Sequence, residues 1–279
     1  MKRNKSFDGS NVLYLVATPI GNLKEFTPRA IELISDADVV AAEDTRNTYS
    51  LLSSFGIKKQ LFSLREHNEK EAAEHIVKLI LDGKKIVYVS DAGYPGISDP
   101  GHILVKEAIK NNINVSTVCG SSAFINALVA SGLATDHFYF HGFLSAKETL
   151  AKQELDLIKS KTETLIFYES PHRIVKTLNL MLEVLGDRKA VLARELTKIN
   201  EEYIRGSLKE LSTIDESTIK GEMVVLIEGC TATESLSDAE ISAKVEYFMK
   251  KGLSKKDAIQ VVSEVFSINK NRIKELFNY

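Results

Sequence analysis

The stretch "KIVYVSDAGYPGISDPGHILVKEAIKNNINVSTVCGSS", residues 85–122, decides the fold. It opens on an apolar run, 85–91, rich in Val and Ile and too short for a helix, which reads as a buried strand. A loop with three glycines, two prolines and two aspartates follows at 90–101. The segment 99–112 then carries a helical pattern, and 113–119 reads as a second strand. A strand, a helix and a strand in this order predict an α/β unit around a largely parallel sheet.

The same alternation continues outward. Toward the N-terminus, "VLYLVA" (12–17), "DVVAAED" (38–44) and "QLFSL" (60–64) read as strands, with helices over 27–37, about 45–55 and 68–83. Thr27 suits a helix N-cap, Pro28 suits the first helical position, and Gly56 and Gly83 are stop signals. Beyond Asp136 a second α/β unit has strands at 137–143, 163–170, 190–196, 201–208 and 222–229. The two strands near 190–207 lack an intervening helix, which predicts a hairpin and a mixed sheet.

The small polar residues "CTATESLSD" (230–238) read as a linker. The remaining segment is helical by pattern, with a cap at Ser254, an apolar face of Ala258, Val261, Val262 and Val265, and a break at 267–269. That pattern suits a helix-turn-helix, and equally an appendage that only packs on its neighbour. The expected plan is therefore a flexible N-terminus (1–11), two α/β domains (12–132 and 133–230), a linker (231–238) and a helical tail (239–279).

A length of 279 residues fits about two domains, and 44% apolar residues suffice for ordinary cores. The net charge of −2 creates no global field for a polyanion, so a nucleic-acid partner would need a local basic patch. The tail from Ser235 carries eight Lys/Arg against six Asp/Glu, which is only mildly basic. Cys119 and Cys230 form neither a disulfide framework nor a zinc pattern and fit a reducing compartment. The apolar run after the basic N-terminus is too short for a secretory core, and no stretch approaches a membrane span. A cytoplasmic location, no membrane contact and no metal are expected.

Four loops follow strands and are rich in Gly, Pro, Ser or Asp: 18–22, 90–101, 119–123 and 168–173. In open α/β sheets, ligands bind beyond the carboxyl ends of the strands, where glycines let backbone approach them closely. Asp91, at a strand end, could accept hydrogen bonds from a ligand or cap the next helix. Asp99 fits capping better, with Pro100 at the first helical position. No loop matches the dinucleotide-binding, P-loop or nucleophile-elbow patterns. The histidines show no ligand spacing. "FYESPHR" and "LARELTKINEE" place Glu169, His172, Arg173, Arg194, Glu195 and Lys198 at or just past strand ends. Arg46 in "AEDTRNT" is a similar case. Ordinary surface ion pairing is the plainer account of these charges.

Together "LYLVATPIGNLKEFTPRAIELISDADVVAAEDTR", "SDAGYPGISDPG", "GSSAFINALVASGL", "FHGFLSAKE", "FYESPHRI" and "ARELTKINEE" resemble the ribosomal RNA small subunit methyltransferase I family of the tetrapyrrole-methylase superfamily. The likeness runs from about residue 12 to 229, with a fainter echo in the tail. It implies two α/β domains with S-adenosylmethionine between them. The implied reaction is methyl transfer to the 2′-oxygen of a cytidine ribose in the decoding region of small-subunit (16S) ribosomal RNA.

Carried over position by position, the resemblance implies cofactor contacts at Pro19, Ile20, Gly21, Asp91, Ala92, Gly93, Gly96, Ile97, Ser121, Ser122, Ala123 and Tyr168. Asp44, Glu169 and Glu195 are candidates for a general base. Arg46, His172, Arg173, Arg194 and Lys198 are candidates for holding RNA, arginine because its planar fork matches phosphate. The partners expected are ribosomal RNA within the 30S particle and a second copy of the chain in a homodimer. One departure is Cys119, where the family usually carries proline; a small buried residue is expected there. Two other readings share many of these features: a tetrapyrrole methyltransferase, and a non-enzymatic RNA-binding or ribosome-assembly protein.

Overall fold

A computed structural model of the chain describes residues 11–230, 236–266 and 268–277. Residues 1–10 of the segment expected to be flexible and 231–235 of the expected linker lie outside these residues. The fold is α/β, with two five-stranded sheets and C-terminal helices.

The first sheet contains β1 (Val12–Val16), β2 (Val39–Ala42), β3 (Gln60–Ser63), β4 (Ile86–Val89) and β5 (Asn114–Val118), in the order β3-β2-β4-β1-β5. Every pairing within it is parallel. The strands are connected by α1 (Pro28–Asp36), α2 (Thr45–Ser54), α3 (Glu69–Leu81) and α4 (His102–Lys110).

Side chains alternate across a strand, so each strand supplies both faces of the sheet. Leu13, Ala41, Ile86 and Tyr88 join Ile76, Ile80 and Leu104 in one core. Val16, Val40, Ala42, Val87 and Val89 join Phe26, Ala30, Ile34 and Leu52 in the other. This double burial is why the strands read as continuous apolar runs rather than as alternating ones.

Thr27 caps α1 as expected, its side chain accepting from the Ala30 N–H with Pro28 at the first position. The start of α4 differs from expectation. Its first residue is His102, its N-cap is Gly101, and neither Asp99 nor Pro100 caps or opens it. The capping acceptor comes from far away: Glu69 Oε1, at the start of α3, accepts from both Gly101 N–H and Ile103 N–H at 2.8 Å. A carboxylate at a helix N-terminus satisfies orphan donors and complements the helix dipole whichever element delivers it.

After α5 (Ala123–Ser131) come β6 (Phe138–Phe143), α6 (Glu148–Ile158), β7 (Thr164–Glu169), α7 (Ile174–Leu185), β8 (Lys189–Arg194), β9 (Glu202–Ser207), the short α8 (Leu208–Leu211) and β10 (Met223–Ile227). The second sheet has the order β6-β7-β10-β8-β9. β6 and β7 are parallel, with a register shift between Phe140 and Gly142. β8 and β9, successive in the chain, are neighbours at the sheet edge.

The tail holds α9 (Asp238–Lys250), α10 (Lys255–Val265) and α11 (Lys270–Leu276). Ser254 caps α10 as expected. The buried face is Ala258, Ile259 and Val262, whereas Val265 is 63% exposed, so the expected stripe is rotated. The cause is a third partner: Ile241 and Val245 of α9, with Ile268 and Ile273, close a small core around α10.

The chain divides into two compact units. Of the described residues, the first takes those up to Ala130 together with Ala193–Glu202 and Lys220–Val224; the second takes the others. No helix among the described residues is long and apolar enough to cross a membrane.

Candidate functional site

Within the first unit, three of the Gly-rich loops meet beyond the carboxyl ends of β1, β4 and β5. Thr18 and Gly93 exchange backbone hydrogen bonds of 2.9 and 3.0 Å in an isolated antiparallel bridge. Thr18 Oγ1 also donates to the Ser90 carbonyl at 3.2 Å. The third loop joins through Tyr94, whose hydroxyl accepts from Gly120 N–H at 3.1 Å. A Cβ on Gly120 would lie 2.8 Å from Ala17 Cβ, so only glycine lets the ends of β5 and β1 approach this closely.

Gly93 has φ +74°. A side chain there would stand 3.6 Å from Ile20 Cγ2 and 3.7 Å from the Ser121 carbonyl. The bare backbone at Gly93 thus leaves a cradle walled by all three loops. Pro19, Ile20, Ser121, Ser122 and Ala123 are half-buried around it, and Gly21, Asp91, Ala92, Gly96 and Ile97 are exposed. The donor set is backbone, hydroxyl and apolar, and fits a nucleoside-bearing cofactor. Ser121 Oγ donates to Glu25 at 2.8 Å. Cys119 is exposed rather than buried, because it lies one residue past β5 where the sheet no longer covers it.

A cavity of about 590 Å³ opens beside these loops, lined by Glu43, Asp44, Arg65, Glu66 and His67, and by Glu69, Asp91, Ser98, Asp99 and Pro100. The ends of β2 and β3 contribute to it as much as the Gly-rich loop does. The sequence signal for this was present: Arg65, Glu66, His67 and Glu69 follow a predicted strand, and strand ends in such sheets face ligands. Asp91 accepts from Asp44 N–H at 3.1 Å and from Asn47 Nδ2 at 2.7 Å. Glu43 accepts from Asp91 N–H at 3.3 Å.

The charges in the cavity are unequal. Asp44 caps α2, accepting from Arg46 N–H at 2.9 Å, from Arg46 Nε at 3.0 Å and from Arg46 Nη2 at 2.5 Å. Those hydrogen bonds hold its carboxyl well below the usual range. Burial, followed by the neighbouring Glu43 and Asp91 charges, pushes Asp99 from 3.8 up to about 7. Burial also raises Glu43.

The segment after β8 belongs to this unit too. Arg194 pairs with Glu202 at 2.5 Å. Glu195 adopts φ +51° and accepts from Lys198 Nζ at 2.9 Å, and Lys198 also reaches Glu222 at 3.0 Å. Lys198 lies over the first Gly-rich loop: a Cβ on Gly21, which has φ +147°, would stand 2.6 Å from Lys198 Cγ. The resemblance pointed to Gly21 and Lys198 separately; the structure stacks one on the other.

In the second unit, Glu169 ends β7 with only 3% exposure. It accepts from Ser170 N–H at 2.7 Å and from Thr177 Oγ1 at 2.6 Å, and lies 3.5 Å from Arg173 Nη2. That Arg173 nitrogen also donates to the carbonyls of Leu144 and Ser145, at 3.1 and 3.2 Å. Glu169 and Arg173 therefore pin the loop 168–173 to the loop after β6. His172 is exposed, and the Tyr168 ring meets Phe140 edge-on at 5.0 Å. Thr177→Val keeps the shape but leaves a buried carboxylate short of a donor, which costs about 2 kcal/mol. Urea denaturation should show a lower midpoint with an unchanged slope.

Among the described residues no group of His, Cys, Asp and Glu could hold a metal ion. Residues 12–212 match the family described as tetrapyrrole (corrin/porphyrin) methylases. A protein of Streptococcus pyogenes named ribosomal RNA small subunit methyltransferase I is 42% identical, the alignment covering 100% of this chain and 99% of that protein. A Bacillus subtilis protein of the same name is 39% identical over the same shares. Among solved structures, the methyltransferase CobJ superposes with a TM-score of 0.60 at 17% identity, over 79% of this chain and 95% of that one. Uroporphyrin-III C-methyltransferase of Thermus thermophilus, complexed with S-adenyl homocysteine, gives 0.56 at 17% identity, over 78% and 97%.

Proposed function

The chain belongs to the tetrapyrrole (corrin/porphyrin) methylase family, and within it to the group named ribosomal RNA small subunit methyltransferase I; from that premise we propose that it methylates small-subunit ribosomal RNA with S-adenosylmethionine, at the 2′-oxygen of a cytidine ribose in the decoding region. The observation that carries this reading is likeness at about 40% identity along the whole of both chains, tail included. The likeness to CobJ and the uroporphyrin enzyme, at 17% identity, speaks to the fold alone.

The cradle at Gly93 supports the cofactor assignment. Pro19, Ile20, Gly21, Asp91, Ala92, Gly93, Gly96, Ile97, Ser121, Ser122 and Ala123 would hold the donor, and the resemblance adds Tyr168 as a further candidate. The donor brings a methyl group already activated on a sulfonium. The protein's task is then to align a hydroxyl behind that carbon and keep water out, and positioning of this kind can supply about 7–11 kcal/mol of a barrier.

For RNA, Arg46 is the most exposed candidate, its side chain being 82% exposed while it pairs with Asp44. His172, Arg173, Arg194 and Lys198 would add contacts, the three cations, like Arg46, exchanging a carboxylate partner for phosphate. A homodimer acting on the 30S particle in the cytoplasm completes the proposal. Incubation with tritiated S-adenosylmethionine and small-subunit particles, followed by mapping of the label, should place it on a ribose of the ribosomal RNA. Label on a porphyrinoid with none on RNA would transfer the protein to the tetrapyrrole branch. Absence of donor binding would leave only the assembly-protein reading.

A further inference from the structure

We infer that Asp99 is the group that takes the proton from the attacking ribose hydroxyl. The inference rests on the methyl-transfer reading above and names a residue for it. Asp99 lines the 590 Å³ cavity together with Asp91, and it lies two residues past Ile97 on the same loop. The cavity has the size of a nucleoside site. Its wall carries more carboxylates than cations, so it suits a neutral group that donates hydrogen bonds, as a ribose hydroxyl does.

The other carboxylates of the cavity are committed elsewhere. Asp44 caps α2 and pairs with Arg46. Glu69 caps α4 through two backbone N–H groups. Asp91 is tied to Asp44 N–H and Asn47. Glu43 accepts from Asp91 N–H, and Glu66 is exposed to solvent. The base candidates outside the cavity are occupied as well: Glu195 by Lys198, and Glu169 by Thr177 and Ser170. Asp99 is half-buried and does not cap α4, and the Ser90 hydroxyl on the same loop donates to the Gly93 carbonyl at 3.2 Å.

In the step, the hydroxyl oxygen forms the bond to the methyl carbon as the carbon–sulfur bond breaks and its electron pair stays on sulfur. The O–H bond breaks and its proton moves to the Asp99 carboxylate. A base is most effective when its pKa lies near the working pH, and Asp99, pushed up to about 7, meets that condition. Glu43 and Asp91 raise it by repulsion, after burial. Tyr88, Glu69, His67 and Arg65 complete the charged or titratable surroundings from β4, α3 and the segment after β3. Tyr88 is itself raised, by burial and by these carboxylates.

The test is single-turnover methyl transfer to small-subunit particles by wild type, Asp99→Asn and Asp99→Glu across pH 5–9. The wild-type rate should climb with pH and level off near 7. Asp99→Asn should lose about 100-fold or more, with donor affinity by calorimetry and particle binding within threefold of wild type, and should lose the climb with pH. Asp99→Glu should recover it in part. The fold has its own readout. An acid whose pKa is raised on folding destabilises the native state progressively as pH rises from about 4 to 7. Asp99→Asn should therefore melt higher than wild type above pH 7 and alike below pH 4. A rate for Asp99→Asn within threefold of wild type, a retained pH limb, or a defect cured by saturating donor would each overturn the role of Asp99. A wild-type protein that methylates no ribosomal RNA would instead overturn the reading beneath it.

Discussion

Asp91→Ala should weaken S-adenosylmethionine binding about 100-fold in calorimetry while shifting the thermal midpoint by only a few degrees. Asp91 stands at the end of β4, where its carboxylate is fixed from below by Asp44 N–H and Asn47 and lines the cavity beside the Gly93 cradle. A hydrogen bond from a ligand to a charged acceptor contributes about 1.5–3 kcal/mol, a factor of roughly 10 to 150 in affinity. The groups it leaves behind, Asp44 N–H and the Asn47 amide, are open to water and can be resolvated. The fold therefore loses little. Asp91→Asn keeps an oxygen for Asp44 N–H and removes only the charge, so an intermediate loss is expected. Unchanged affinity in both variants would take Asp91 out of the donor site.

Glu69→Ala should be the most destabilising single change at the site, lowering stability by about 3 kcal/mol in urea denaturation. Glu69 is 8% exposed and one of its oxygens serves two N–H groups at the start of α4. Truncation leaves both donors short of a partner in a buried place, at about 1–3 kcal/mol each before relaxation. Glu69→Gln keeps the acceptor oxygen and should recover most of the loss. Because the loop 90–101 runs straight into α4, Glu69→Ala should also weaken donor binding, which a purely local cap would not. A cost under 1 kcal/mol would mean that water replaces the carboxylate.

The strands and the loops between them were legible because their signals are local. Val-, Ile- and Ala-rich runs buried on both faces read as strands wherever they occur, and glycines at their ends read as loops. What could not be read was set at a distance. Asp99 looked like a cap because "SDPG" before a helix is good capping chemistry, yet Glu69, 32 residues upstream in sequence, took that place and left Asp99 in the cavity. Val265 looked like part of an apolar stripe until α9 fixed which side of α10 is covered. Lys198 read as one more surface charge, and only three dimensions put it over Gly21. The resemblance supplied a list of cofactor positions; the exchange between Thr18 and Gly93 is what draws those in the first unit into one place.

The first unit is spliced from three separate stretches of polypeptide, and this bears on biogenesis. Synthesis is vectorial, and lobes generally consolidate in the order in which they emerge. Here the lobe that starts first is finished late: Lys198, which shields Gly21, is translated only after most of the second sheet, and Lys220–Val224 later still. A nascent chain halted near Ala130 would carry the first Gly-rich loop uncovered, and a recombinant fragment ending there should bind no donor until residues 193–224 are restored to it.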